Sequence, residues 1–104
     1  MQIYDVGTDI IVTVLNDSDR SAHNISTASP MIMLMTRPDG TIEEKTAVLN
    51  GTGTDGKLKY TTVDGDMNQV GRYQFQAYVQ IGTNINYSTI FSVVVDRVLK
   101  RYVG

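Results

Sequence analysis

The sequence lacks the residue types on which much protein chemistry depends. Its 104 residues contain no cysteine and no tryptophan, and the only histidine is His23. Without cysteine the chain cannot form disulfides, thiolate zinc sites, iron–sulfur clusters or a cysteine nucleophile. One histidine leaves little for acid–base catalysis or for metal binding through imidazole. We therefore predict that the protein is not an enzyme and that it has no cofactor and no metal.

Clustered positive charge and long apolar runs are also missing. Nine Lys and Arg residues stand against eleven Asp and Glu, and the basic residues are scattered except near the C-terminus. A nucleic-acid surface needs clustered positive charge, so no nucleic-acid partner is expected. The first ten residues, MQIYDVGTDI, show neither a basic leader nor an apolar run, so neither a signal peptide nor a membrane partner is expected. The length indicates one domain.

Two polar segments carry residue types that could support chemistry. His23 lies near Ser21 and Ser26, but a catalytic group needs converging side chains and a pocket that excludes water, so solvated turn residues are the favoured interpretation. The acidic pairs within 16–19 and 64–66 could supply oxygen ligands for calcium. Neither matches the twelve-residue calcium loop, and Asp-Gly pairs are common in turns for backbone reasons.

What the chain does contain is alternation of apolar and polar residues between regular turn signals. This pattern predicts an all-β protein of about seven antiparallel strands. Tight turns are expected at Pro38-Asp39-Gly40 and at Gly82-Thr83-Asn84. The expected strands include Ile10–Leu15, one that starts at Pro30, Thr41–Asn50, Lys57–Val63, Arg72–Ile81 and Ile85–Leu99.

The parity of apolar positions predicts which side of each strand is buried. In Arg72–Ile81 the odd positions are the apolar ones, whereas the strand from Pro30 is apolar on both sides. We expect its Met31, Met33 and Met35 to form an exposed apolar row, covered either by loops and chain ends or by a partner. The predicted core is Ile10, Val12, Val14, Ile32, Leu34, Leu58, Tyr60, Tyr73, Phe75, Ala77, Val79, Ile81, Tyr87, Phe91 and Val93.

The segment DGDMNQVGRYQF, residues 64–75, resembles the tyrosine corner of immunoglobulin-like sandwiches. Asp66 would be the acidic residue, Gly71 the small residue and Tyr73 the corner tyrosine. The resemblance implies that the Tyr73 ring fills the end of the core and that its hydroxyl binds backbone groups where the chain changes sheets. The fold that follows is an immunoglobulin-like β-sandwich over residues 1–96.

A wider resemblance covers nearly the whole chain. The sequence resembles a family of small immunoglobulin-like domains encoded by tailed bacteriophages, including the N-terminal domain of phage baseplate upper proteins. The positions that carry it are Gly7, Ile10 and Thr13, then Arg37–Thr41, then Thr54–Tyr60, and finally Gly71, Tyr73 and Gln76.

This resemblance implies a structural protein of a phage virion, made in the cytoplasm of the host bacterium. Its expected partners are other virion proteins, and it is expected to be oligomeric in the particle. A capsid decoration or cement protein and a tail or baseplate accessory remain alternatives. A third alternative is an adhesion module that binds glycans on the host surface.

The last residues, 97–104, form a predicted C-terminal arm. Arg97, Lys100 and Arg101 are three of the nine basic residues, and apolar residues that include Tyr102 surround them. One interpretation is an arm that docks on an acidic or apolar neighbouring subunit; the other is a last strand followed by a frayed tail. The predicted partner-binding residues are therefore Met31, Met33, Met35, Arg97, Lys100, Arg101 and Tyr102.

Overall fold

The computed structural model describes Ile3, residues 6–15 and residues 21–97. Its strands are β1 (Asp9–Thr13), β2 (Met31–Thr36), β3 (Ile42–Thr46), β4 (Val48–Leu49), β5 (Lys57–Thr61), β6 (Gly71–Ile81), β7 (Asn84–Tyr87) and β8 (Phe91–Val95). All pairings between these strands are antiparallel. The described residues contain no helix, so none of them forms a helix that could span a membrane. The all-β prediction is confirmed.

The strands form two sheets. One has three strands in the order β1-β5-β4. The other has five, in the order β3-β2-β6, and the far side of β6 pairs with both β7 and β8. Apolar residues of both sheets belong to one buried cluster, which includes Ile10 and Leu58 from the small sheet and Met35 and Phe75 from the large one. The sheets therefore share one core between their inner faces.

The turns expected on either side of the large sheet are present. Between β2 and β3, the Gly40 N–H donates to the Arg37 carbonyl at 2.9 Å, and the Thr41 N–H donates to Oδ1 of Asp39 at 2.9 Å. Gly40 has a φ of 90°, a backbone conformation that would be strained in a residue with a side chain. Between β6 and β7 only Gly82 and Thr83 intervene. Both turn predictions are confirmed.

The expected strand Thr41–Asn50 is divided between the two sheets. Its first half, β3, pairs with β2, and its second half, β4, pairs with β5. Ala47 lies at the crossing point, buried, and its N–H donates to the Met31 carbonyl at 3.1 Å. Periodicity did not reveal this crossing because both halves are extended.

The expected strand Ile85–Leu99 is also interrupted, by a β-bulge at residues 88–90. Tyr78 pairs with Tyr87, whereas Phe75 pairs with Phe91, so three residues on this side oppose two on β6. Ser88 holds the bulge in place, because its Oγ accepts from the Ala77 N–H at 2.8 Å and its own N–H donates to the Ala77 carbonyl at 2.9 Å. The extra residue reverses the alternation of sides along the chain. Odd positions face outward in β7, whereas even positions face outward in β8.

Strand β2 turns the opposite side toward the core from the one predicted. Met33 pairs with Ala77 and Met35 pairs with Phe75. Directly paired residues of antiparallel strands lie on the same face of the sheet, and Ala77 and Phe75 face the core. Met33 and Met35 are accordingly 0% exposed. The predicted exposed methionine row is therefore wrong, and Ile32 and Leu34 point away from the core.

The predicted core is confirmed at most of its positions and wrong at the others. Nine of the fifteen predicted residues are buried: Ile10, Val12, Val14, Leu58, Tyr60, Tyr73, Phe75, Ala77 and Val79. Ile81 and Val93 are partly buried and pack against the core. Tyr87 is 56% exposed because it pairs with the outward-facing Tyr78, and Phe91 is 37% exposed. The prediction missed the buried Met33, Met35, Ile25, Ala28, Ala47, Met67 and Val95.

Tyr73 lies where the chain passes from β5 in the small sheet to β6 in the large one. Its side chain is fully buried, and its hydroxyl donates to the Asp66 carbonyl and accepts from the Gln69 N–H, each at 3.1 Å. Gly71 has φ of 134°, and a Cβ there would approach Pro38 Cβ to 2.8 Å. The hydroxyl therefore forms hydrogen bonds with backbone groups of the connecting segment. The absence of a side chain at Gly71 lets this segment pass close to Pro38.

Candidate docking surface

The outward side of the five-stranded sheet carries several exposed apolar residues. We call it the outer face. Its members follow from strand register: Ile32, Leu34 and Thr36 of β2; Ile42, Glu44 and Thr46 of β3; Arg72, Gln74, Gln76, Tyr78 and Gln80 of β6; Ile85 and Tyr87 of β7; and Ile90, Ser92 and Val94 at β8. Ile42, Ile85, Tyr87, Ile90 and Val94 are each at least half exposed.

Two depressions indent the outer face on either side of Leu34. The smaller, of about 170 Å³, lies among Leu34, Thr36, Ile42, Gln74, Gln76 and Ile90 and reaches Phe75. The larger, of about 400 Å³, is the tyrosine depression, and its lining residues are Pro30, Ile32, Leu34, Glu44, Tyr78 and Tyr87. Shallow apolar depressions on a sheet face suit the insertion of side chains from another molecule.

Two aromatic rings form one wall of the tyrosine depression. Tyr78 and Tyr87 are directly paired across β6 and β7, and their ring centroids lie 5.7 Å apart in an edge-on arrangement. The Tyr78 hydroxyl reaches Oε1 of Gln80 at 3.4 Å. Because directly paired residues share one face of a sheet, both rings point outward. The rings offer a partner a large, stiff contact area.

The only acidic residue of the outer face is Glu44, at the edge of the tyrosine depression. Within the described part of the chain, its carboxylate has no ion-pair partner. It pairs with Leu34 in the sheet, and so stands beside an apolar surface. This arrangement favours a cation next to an apolar group on whatever binds there.

A second group of charged residues, around the inner side of β3, is by contrast joined by ion pairs. Glu43 bonds Arg37 at 2.6 Å and Lys45 at 2.6 Å, and Lys45 also bonds the buried carboxylate of Asp66 at 3.1 Å. Oδ2 of Asp66 further accepts from the Tyr60 hydroxyl at 2.5 Å and from the Val63 N–H at 2.9 Å. This network ties the β2–β3 hairpin to the segment that leads into β6.

The pairing changes the protonation equilibria of the network. Hydrogen bonds from Lys45 and Arg37 lower the pKa of Glu43, and the bond to Glu43 raises the pKa of Lys45. Burial, together with the bond to Asp66, raises the pKa of Tyr60. Glu43 and Lys45 therefore keep their charges around neutral pH, and their ion pair is suited to holding structure.

The structure separates the predicted partner-binding residues. Met33 and Met35 lie in the core, Met31 is half-buried, and Arg97 is exposed. Lys100, Arg101 and Tyr102 lie outside the described residues, so the arm remains a prediction. Ile32 and Leu34, which were assigned to the core, lie on the outer face instead. The two-sided apolarity of β2 was the sequence signal for an apolar outer face, although it did not show which side was which.

The candidates for other chemistry gain no support from the geometry. The Asp66 carboxylate, half of one acidic pair, is occupied by Tyr60, Lys45 and the Val63 N–H. Among residues 3, 6–15 and 21–97, no three His, Asp or Glu side chains converge on a point where they could hold a metal. The other acidic pair, within 16–19, lies outside the described residues.

Comparison of the chain with known protein families and with curated proteins found no match.

Proposed function

We propose that this protein is a non-enzymatic structural protein of a tailed-bacteriophage virion and that it binds other virion subunits through the outer face. The observation that carries the docking role is an apolar sheet face with two depressions on the side away from the core. The assignment to a virion rests on the sequence resemblance to small phage-encoded domains.

The dimensions of the outer face suit a stable protein contact. Strand β6 has eleven residues, and at about 3.3 Å per residue and 4.8 Å between strands a four-strand width gives a footprint of roughly 700 Å². Specific interfaces bury about 800 Å² on each partner. A single partner could therefore cover the face, and burial of its apolar side chains would supply the main driving force.

The immunoglobulin-like class is part of the same proposal, and strand order supports it. In that fold, strands B, E and D share one sheet, and C, F and G share the other. Assigning β1, β4 and β5 to B, D and E gives the observed order β1-β5-β4. Assigning β2 to C, β6 to F and the pair β7 and β8 to G gives the second sheet, with β3 as an extra edge strand. Tyr73 then lies near the start of strand F, where the corner tyrosine belongs.

Copy number in purified particles tests the proposal. A cement protein would be present in hundreds of copies, whereas a tail or baseplate accessory would be present in a few rings. Quantitative mass spectrometry of intact particles should find the chain at one of these levels. Its absence from particles would refute the virion role.

A glycan-binding module is the second candidate, and the tyrosine depression favours it. Sugar rings stack on exposed aromatic rings, and sugar hydroxyls donate hydrogen bonds to carboxylates. Both kinds of group line this depression, as Tyr78, Tyr87 and Glu44. A glycan array should separate the two functions. Glycan binding that is lost in Tyr87→Ala would support adhesion, whereas no binding to any glycan would leave docking between subunits.

A further inference from the structure

The tyrosine depression has a definite chemical preference. Its walls are the aliphatic Pro30, Ile32 and Leu34 and the rings of Tyr78 and Tyr87, and Glu44 provides negative charge at its edge. An apolar side chain would displace water from the walls, and a neighbouring cation would pair with the carboxylate. The matching ligand is a peptide segment in which apolar and basic residues are adjacent.

The chain itself contains such a segment. Residues 98–104 have the sequence VLKRYVG, in which Lys100 and Arg101 lie between two apolar pairs. They account for two of the nine basic residues of a chain whose net charge is negative. The segment therefore carries positive charge on an acidic protein, and it complements the edge of the tyrosine depression.

The last described strand, β8, runs away from the tyrosine depression. Val95, the last residue of β8, pairs with Gly71, whereas Tyr78 lies seven residues further along β6, about 23 Å away. Strand β8 is antiparallel to β6, so its direction leads away from the depression.

We propose that the tyrosine depression binds residues 98–104 of a second copy of this chain. This inference rests on the proposed docking role of the outer face and names its occupant. Each copy then offers a depression at one place and a segment at another, so the contact is head-to-tail. Head-to-tail contacts close into rings or continue as filaments, and both are forms that a repeated virion component takes.

Sedimentation velocity of the full chain over a wide concentration range tests the proposal. We expect reversible oligomers that extend beyond the dimer. Tyr87→Ala should weaken association about tenfold, since a buried aromatic anchor is removed. The matched control, Ile11→Ala, removes an exposed apolar side chain from the small sheet and should have no effect. A wild-type chain that stays monomeric throughout would refute the inference.

Charge reversal tests the predicted ion pair. Glu44→Lys alone, and Lys100→Glu with Arg101→Glu, should each weaken association about fivefold. The chain with all three substitutions should regain it, because opposite charges meet again. If the triple variant associates no better than the single-sided ones, Glu44 does not face the segment and the inference is wrong.

Mixing two defective variants tests the head-to-tail geometry. Chains with Tyr87→Ala keep an intact segment, and chains with Lys100→Glu and Arg101→Glu keep an intact depression. Their mixture should give dimers but no longer oligomers. Failure to form a mixed dimer would contradict the contact. The docking function is scored separately, through copy number in particles, so it can stand even when self-association is absent.

Discussion

The outer faces of the two sheets differ in composition, although both point away from the same core. The face of the small sheet carries Asp9, Thr13, Lys57, Lys59 and Thr61, with Ile11 and Val48 as its apolar members. The face of the large sheet has a single acidic residue, a single basic residue and two apolar depressions. The small sheet is thus suited to solvent and the large sheet to a partner.

The comparison also shows why the large sheet is apolar on both sides. Its inner side is closed by the small sheet, which accounts for the buried Met33, Met35 and Phe75. Nothing in the described part of the chain closes its outer side. Apolar residues on both sides of a strand usually indicate two covering layers, and the described residues supply only one of them.

The largest expected effect concerns the two sides of β2. Met33→Ala should lower the free energy of unfolding by about 2–5 kcal/mol, because a fully buried side chain leaves a cavity. Leu34→Ala should cost only about 1 kcal/mol in the isolated protein, because Leu34 keeps contact with solvent. Chemical denaturation measures both. Equal losses would mean that the outer side of β2 is covered as fully as the inner side.

The next effect distinguishes the two outer faces in docking. Leu34→Glu places a charge between the two depressions and should weaken binding to purified particles that lack this protein by about 30-fold. Ile11→Glu, the matched change on the small sheet, should bind like the wild type. Circular dichroism of both variants verifies folding. Loss of binding in Ile11→Glu alone would transfer the docking role to the small sheet.

A smaller effect separates two tyrosine hydroxyls of β6. Tyr73→Phe removes a buried hydroxyl that bonds two backbone groups, and should cost about 1–2 kcal/mol of stability. Tyr78→Phe removes a hydroxyl on the outer face and should cost under about 0.5 kcal/mol. Urea unfolding curves give both values. A reversed order would argue against the corner role of Tyr73.

The smallest effect is a pH dependence that separates neighbouring glutamates. Lys45 and Arg37 lower the pKa of Glu43 from its ordinary value of 4.5. The stability that Glu43 contributes is therefore present above about pH 4.5 and is lost as the pH falls through the lower folded value. Glu43→Gln should flatten the acid limb of stability against pH, and Glu44→Gln, its neighbour on the outer face, should change it less. Thermal melts from pH 6 to 3 measure both; identical curves for Glu43→Gln and wild type would show that the pairing has no energetic role.

Much of the architecture was predictable because it depends on local signals. Pro38-Asp39-Gly40 predicted its turn through backbone preferences, and the odd positions of β6 predicted its buried side. The candidate site was less predictable. Met33 and Leu34 are both apolar, so their placement depends on the strand beside them. Tyr87 and Phe91 have the same parity, and a bulge for which the sequence had no strong signal places them on opposite sides of the sheet.

The sequence by itself determined an extended, two-layered chain without thiol chemistry, since alternation and turn residues act between neighbours along the backbone. The tertiary structure alone decided which side of β2 became core and which became surface. Pairing with β6 forces Met33 and Met35 inward, and one extra residue at the bulge turns Tyr87 and Ile90 outward together. Register is a relation between distant segments, and a pattern within one segment cannot specify it.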